Sequence, residues 1–464
     1  MLEHMTGLGE PRLEEVFTHI AANHDDYVSR LMEYLRQPTI SAQNIGIREG
    51  AEKVAELARR AGLSTEIVET SVNPVVLARS PVRAGLPTVM FYGHYDVQPP
   101  EPLEAWTTPP FEPSLRDGRI FARGAGDNKG QHFAQLMAIE AMNTTHGELP
   151  CNVIFMLDGE EEIGSRSLPQ FVIEHRDKLQ ADLVITADGS MPSSGKPIVQ
   201  FGVRGLATFE IRIRGANRDL HSGNYGNLAP NPLWEMVHLL ASMKTPDGEI
   251  TIDGLHDRIV PPSATEREAA ARLPIDEEQV KAELGLTRFD APEGIPYFDR
   301  LMFRPTLTIN GIRGGYGGEG VKTVLPNEAV AKCDIRLVEA QRPEEILDLV
   351  EDHIRQRVPH AEFIRLQSME PSKTPMDSPF TPLIQSAISV AHGVEPLLYP
   401  CVGGSLPDYV FTKRLGLPIF LIPYANSDQA NHAPNENIKV DYVMRGIRTG
   451  AALLDRIGSW RRPA

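Results

Sequence analysis

Between residues 87 and 188, short apolar runs alternate with a longer stretch of helical character. Residues 88–97, 151–158 and 181–188 are nearly continuous in apolar side chains over the length of a strand. That pattern predicts strands buried on both faces. Residues 129–143, between the first two, predict a helix. The succession implies an α/β sheet with helices on its faces. Each apolar run leads into polar residues: His94 and Asp96, then Glu160-Glu161-Glu162, then Asp188. In open α/β sheets, sites lie outside the carboxyl ends of the strands, so these are the first candidates.

After Gly205 the period changes. Phe209, Ile211 and Ile213 alternate with charged or polar residues, as in a strand with one wet face. Residues 230–244 predict a helix, and 306–312 and 328–338 predict strands. Ile346, Val350, Ile354 and Val358 recur at four-residue spacing, one face of a helix over 342–358. These elements predict a small sheet with helices on one side. The Pro/Ser-rich residues 370–379 read as a return linker, 417–424 as another buried strand and 440–460 as a long closing helix. The expected organisation is a discontinuous catalytic domain (1–206 and 375–464) interrupted by an insertion (207–374), which suits a chain too long for one core.

Charge narrows the partners. A formal net charge of -16 disfavours nucleic acid and anionic membrane surfaces, both of which reward basic patches. It leaves an anionic small substrate open, since one local Arg can override the mean field. The three cysteines, Cys151, Cys333 and Cys401, are widely spaced and form no C-x-x-C pair, so neither a disulfide framework nor a thiolate zinc site is indicated. With no leader pattern and no apolar run of membrane-spanning length, the expected location is the cytoplasm. The opening Met1-Leu2-Glu3-His4-Met5 reads as a cloning remnant and is given no function.

The chemistry concentrates in five places. Gly93-His94-Tyr95-Asp96 ends an apolar strand, and alternation puts His94 and Asp96 on one side. A metal-bound imidazole commonly needs a carboxylate on its other nitrogen, though a plain hydrogen-bonded pair at a strand end would look the same. Gly124-Ala125-Gly126-Asp127-Asn128-Lys129-Gly130 leads into a helix and lacks the spacing of a phosphate-binding loop; Asp127 alone could be a helix cap. The carboxylates of Glu160, Glu161 and Glu162 repel one another unless cations neutralise them or water solvates the loop. Asp188 follows a buried strand, and His432 lies in a loop with little apolar content, Gln429-Ala430-Asn431-His432-Ala433-Pro434-Asn435-Glu436. Together these supply two imidazoles and three carboxylates, with one carboxylate to spare. Such a set suits a two-metal hydrolytic site in which two ions share a carboxylate and activate a water.

The pattern resembles metallopeptidase family 20, the aminoacylase/carnosinase family of co-catalytic zinc peptidases, and within it most the cytosolic non-specific dipeptidase and carnosinase branch. The resemblance runs in order over nearly the whole chain and includes Trp106, Pro110-Phe111 and Asp117-Gly118-Arg119. It implies a zinc-exopeptidase-like catalytic domain with a central mixed sheet, plus an inserted α+β two-layer lid and dimerisation domain. It implies that His94 and Asp188 hold one divalent metal, that Glu162 and His432 hold the other, and that Asp127 bridges. Zinc is expected in both positions, with manganese or cobalt as alternatives. Asp96 would orient His94, and Glu161 would be general base and acid. The family also implies a cis peptide between Asp127 and Asn128. Glu160 is given no role.

The same resemblance marks the insertion. Asp219-Leu220-His221-Ser222-Gly223 matches a motif whose histidine serves the other subunit of a homodimer. Thr323, Arg336 and the loop Gly403-Gly404-Ser405 match substrate-binding positions, the last of them contacting the substrate carboxylate. Two residues depart from the family pattern. Asn128 follows the bridging Asp where Asp is common, and Val402 precedes Gly-Gly-Ser where dipeptidases often carry an acid. The expected activity is hydrolysis of dipeptides or short peptides with a free C-terminal carboxylate. The alternative is an N-acyl or N-carbamoyl amino-acid amidohydrolase using the same metals; a metal-binding protein without catalysis would have no need of Glu161.

Overall fold

A computed structural model describes residues 10–290, 292 and 294–461. Met1–Met5 therefore lies outside the described residues. The chain divides into two compact units. The first comprises residues 1–201, 374–399 and 410–464, and the second 202–373 and 400–409.

The first unit is built on eight strands: β1 (Ser64–Val68), β2 (Val75–Arg79), β3 (Thr88–His94), β4 (Asn152–Asp158), β5 (Leu183–Thr186), β6 (Ile198–Gln200), β7 (Leu397–Tyr399) and β8 (Ile419–Leu421). Their order is β1-β2-β4-β3-β5-β8-β6-β7. The three strands that lead to candidate residues, β3, β4 and β5, are neighbours and mutually parallel. In register, His94 lies opposite Asp158 and Tyr92 opposite Thr186. Three polar strand ends are thus delivered to one edge of the sheet. Antiparallel pairs at β1-β2 and β2-β4 make the sheet mixed. All of β4 and β5, and all of β3 but Thr88, is buried, which accounts for continuous apolar runs without alternation.

Helix α1 (Lys129–His146) is buried on most of its circumference, and α2 (Val440–Gly458) packs against it. The two approach closely because Gly450 faces Ala138; a Cβ there would stand 2.7 Å from that of Ala138. Two small residues set the helix separation.

In the second unit, four antiparallel strands run Thr306–Gly314, Glu328–Leu337, Gly205–Arg214 and Glu362–Met369 in that order. Phe209, Ile211 and Ile213 turn to one face, where Met236, Leu239, Ile346, Val350 and Ile354 of the helices Pro232–Ala241 and Pro343–Arg357 cover them. The fold class is the expected one, mixed α/β with a second α+β unit.

Some boundaries differ from expectation. The first strand ends at His94, so Asp96 lies beyond it and strand alternation does not position it. The linker over 370–379 contains a two-residue strand, Ser372–Lys373, paired with Gly202–Val203. Helices His24–Leu35, Ile47–Arg60 and Thr381–His392 escaped the pattern reading.

Candidate metal centre

Four loops meet at the carboxyl edge of β3, β4 and β5. His94, the last residue of β3, is buried; its Nε2 lies 3.2 Å from Asp127 Oδ1 and 3.5 Å from Asp188 Oδ2. On the other side of the same carboxylate, His432 Nε2 lies 3.1 Å from Asp127 Oδ2 and 3.3 Å from Glu162 Oε2. Two ligand groups result, His94-Asp127-Asp188 and Asp127-Glu162-His432, each with its ligand atoms within 4.8 Å of one another. Asp127 is common to both.

Two hydrogen-bonding carboxylates organise these loops. Asp96 accepts the backbone N–H of Glu161 on Oδ1 at 3.1 Å and that of Glu162 on Oδ2 at 3.0 Å. Its Oδ1 also stands 3.3 Å from His94 Nδ1. His94 Nδ1 is closer still to the Asp96 carbonyl oxygen, at 3.1 Å, so one buried residue fixes both the imidazole and the acidic turn, the ring chiefly through its backbone and the turn through its side chain. Glu160 faces elsewhere: its Oε1 accepts the N–H of Ser167 at 2.6 Å. This separates the three consecutive glutamates, since Glu160 anchors the following helix while Glu161 and Glu162 stay with the site.

The second organiser is Glu436, which the sequence reading passed over. Its Oε1 accepts the N–H groups of Gly126 at 2.8 Å and Asp127 at 2.9 Å. Its Oε2 accepts Gly124 N–H at 2.9 Å and Arg123 Nη1 at 2.7 Å. The tight turn Asp117-Gly118, with φ of 49° and 70°, closes a hairpin of Ser114–Arg116 and Arg119–Phe121, against which Asn437–Lys439 pairs. That pairing lays the His432 loop beside the Asp127 loop. Gly126 permits the approach, because a Cβ there would come within 1.8 Å of Gln429 Oε1.

The peptide between Asp127 and Asn128 is cis. The Asn128 amide donates from Nδ2 to Ala187 O at 2.6 Å, and its Oδ1 lies 3.2 Å from His132 Nδ1. A carboxylate at 128 could not make the first of these bonds, which gives the departure from Asp a local reason. Gln98, also unread in the sequence, donates from Nε2 to Glu162 Oε2 at 2.8 Å.

The electrostatics call for cations. Burial alone would lower the His94 pKa, but Asp127, Asp188 and Asp96 lift it well above the imidazole range. Burial would raise Asp127, yet His432 and His94 hold it below the usual carboxylate range. Asp127 and Glu162 push His432 up to about 10. Glu161 is raised well above its ordinary value, first by burial and then by Asp188, Glu162 and Asp127. His94 Nε2 is buried and makes no hydrogen bond among the described residues, although two carboxylate oxygens surround it. An imidazole nitrogen facing carboxylates, with no thiolate nearby, fits a hard or borderline divalent cation in place of a proton. The residues present thus suit metal ions in both groups.

A model of the Peptidase family M20/M25/M40 matches residues 90–456, most of the chain. The chain belongs to that family. Among similar proteins, the Cys-Gly metallodipeptidase dug1 of Schizosaccharomyces pombe is 27% identical over 96% of this chain and 98% of its own. The human Beta-Ala-His dipeptidase is 29% identical over 95% and 92%. The crystal structure of an M20 family metallo-carboxypeptidase, Sso-CP2 from Sulfolobus solfataricus, superposes with a TM-score of 0.88 at 32% identity, covering 93% of this chain and 99% of that one. As a member of family M20/M25/M40 the chain is a metallohydrolase, and its likeness falls within the dipeptidase branch.

The second unit gathers the other candidates of this M20 chain in two places. Leu220–His221 pairs with Val324–Leu325, and Ser222 N–H donates to Thr323 O at 3.1 Å, so His221 and Thr323 are neighbours. His221 is exposed, and its Nδ1 accepts the N–H of Gly223 at 3.0 Å. Elsewhere, Arg336 donates from Nη1 to Ser405 Oγ at 2.7 Å, beside Gly403 and Gly404. Arg336 is thus half-buried and tied to the loop, where pattern alone would suggest a free surface charge. Among the described residues no helix is long and apolar enough to cross a membrane.

Proposed function

We propose that the protein is a metal-dependent exopeptidase that hydrolyses dipeptides or short peptides bearing a free C-terminal carboxylate. The observation that carries this reading is Asp127, whose two carboxylate oxygens face two separate ligand groups. His94 and Asp188 would hold one divalent ion, Glu162 and His432 the other, and Asp127 both; zinc is the proposed metal, with manganese or cobalt able to occupy the same donors. When bound, two such ions supply Lewis acidity to a carbonyl and lower the pKa of a shared water.

The chain's own residues do the rest. Glu161 takes the proton of the attacking water and returns it to the leaving amine. Asp96 holds His94 in orientation and the acidic turn in place. Arg336, Thr323 and the loop 403–405 bind the substrate, the Arg and the loop at its carboxylate. In a homodimer, the partner subunit's His221 stabilises the carbonyl oxygen as charge develops. The proposed location is the cytoplasm, in keeping with three buried cysteines that remain free.

Relatives named as dipeptidases at full-length coverage support this reading. A panel of dipeptides beside their N-acetyl and N-carbamoyl counterparts tests it. Turnover that requires a free α-amine supports the peptidase; turnover of the acylated compounds alone would replace it with a deacylase.

A further inference from the structure

Arg204 stands where the chain enters the second unit, directly after the strand Gly202–Val203. It is only 7% exposed. Among the described residues no carboxylate lies within ion-pair distance of it, and its bonds go to backbone carbonyls instead. Nε donates to Gly403 O at 3.0 Å, and its own backbone N–H donates to Gly404 O at 3.0 Å. Nη1 makes a longer approach, 3.5 Å, to Arg304 O. The neighbouring Val402 N–H donates to Gly202 O at 2.9 Å, which lays the start of the loop along the same strand.

The orientation of that loop follows. The peptides on either side of Gly404 are trans, and in a trans peptide the N–H points opposite to the C=O. With the carbonyls of Gly403 and Gly404 both turned to Arg204, the N–H groups of Gly404 and Ser405 point away from it. The hydrogen bonds of the described residues give neither N–H an acceptor. Gly404 is exposed, and Ser405 Oγ already receives Arg336. Successive outward N–H groups form a concavity that suits an anion. Burial pushes the Arg204 guanidinium down to about 10, and Arg336 repels it as well. Two cations thus flank one loop of small residues; Asp334 Oδ2 stands 3.8 Å from Arg336 Nε, and a substrate carboxylate would add a second anionic partner.

We infer that Arg204 is a positioning residue for substrate specificity, which turns the Gly404 and Ser405 N–H groups outward to meet the substrate carboxylate beside Arg336. This rests on the reading that loop 403–405 receives that carboxylate. The sequence hides it, because Arg204 is distant from the loop it orients and lies in an apolar stretch.

The test compares a dipeptide with its C-terminal amide on the metal-loaded enzyme, using wild type, Arg204→Gln, Arg204→Lys and Gly403→Ala. Wild type should prefer the free acid. In Arg204→Gln, KM for the acid should rise about ten- to a hundred-fold, the worth of charge-assisted hydrogen bonds, with kcat changed less than about two-fold. KM for the amide should hardly move, so the preference collapses. Arg204→Lys should recover part of it. Gly403→Ala, whose Cβ would meet Leu301 Cδ1 at 2.7 Å and Arg204 Nη2 at 3.3 Å, should reproduce the loss by displacing the loop, and decides the matter if Arg204→Gln does not fold. Equal use of acid and amide by wild type would overturn the carboxylate reading itself. A wild-type preference that survives in both Arg204→Gln and Gly403→Ala, with only thermal stability lowered, would overturn the role of Arg204 alone.

Discussion

The carboxylate of Glu436 accepts the backbone N–H of Asp127 at 2.9 Å. A residue four positions after His432 thereby holds the residue that faces both histidines. Replacing it by Gln would put an amide NH₂ against backbone donors and remove the charge that pairs with Arg123 at 2.7 Å. Glu436→Gln should lower metal affinity by about 10–100-fold, as loss of outer hydrogen bonds commonly does. Elemental analysis after dialysis against graded chelator checks this, and both ions should be affected. Wild-type retention of both would remove Glu436 from the site.

Metal stoichiometry should separate Asp127 from its neighbours. Zinc-reconstituted protein is expected to carry two ions per chain, because two ligand groups are assembled. Asp127→Ala should lower both occupancies, whereas Glu162→Gln should weaken one. Loss of a single ion in Asp127→Ala would argue against a shared ligand.

Glu161 should be separable from the ligands by kinetics. Glu161→Gln is expected to keep its metals and lose roughly 10²–10⁴ in kcat, the usual contribution of general acid–base catalysis. Retained turnover with a lost ion would reverse the assignment of Glu161 and Glu162.

Assembly is testable by mixing His221→Ala with Glu161→Ala under subunit exchange. If His221 acts across a two-fold interface, half the dimers are mixed and each has one intact site. Roughly a quarter of wild-type activity should then return. Verified exchange without recovery would place His221 in its own subunit's chemistry or in none.

His392 predicts a pH dependence of stability independent of the metals. Burial, with Arg445 and Arg448 nearby, holds its imidazole down at about 4. Thr449 Oγ1 donates to Arg445 O at 2.8 Å, so it accepts from His392 Nε2 at 2.9 Å, and Nδ1 is left buried without a partner among the described residues. A protonated ring would place an unsatisfied donor there. The folded value lies below the unfolded 6.5, so the unfolded chain binds the extra proton between them. Stability should therefore be complete above pH 6.5 and decline down to about 4, by at most about 1.4 kcal/mol per pH unit from this group. Chemical denaturation across that window, with and without His392→Gln, checks it: the variant should show a shallower decline.

The sequence disclosed the strand ends well because β3, β4 and β5 are buried on both faces and stop at polar residues. It disclosed the acidic run too, but not which glutamate turns away, since Glu160 is distinguished only by the Ser167 N–H it meets. Asp96 meets His94 through the loop beyond the strand, so the expected contact exists for a reason other than alternation. Glu436 and Gln98 carry no signal of spacing or composition, because their roles depend on long-range pairing such as Asn437–Lys439 with Arg119–Phe121. Strand β2 reads only as Val75-Val76-Leu77-Ala78, an apolar run that periodicity cannot distinguish from a buried helix segment.

That same pairing of residues 437–439 with the Asp117-Gly118 hairpin has a consequence for synthesis. A ribosome delivers residues 94, 127, 162 and 188 long before 432 and 436, so an emerging chain exposes an acidic half-site with nothing to clasp its Asp127 loop. The loop is gripped only once residues 436–439 have been made, so firm cation retention marks synthesis that has passed that point. Chains released before residue 436 would be distinguishable from those that extend past 439 by how readily a chelator strips them.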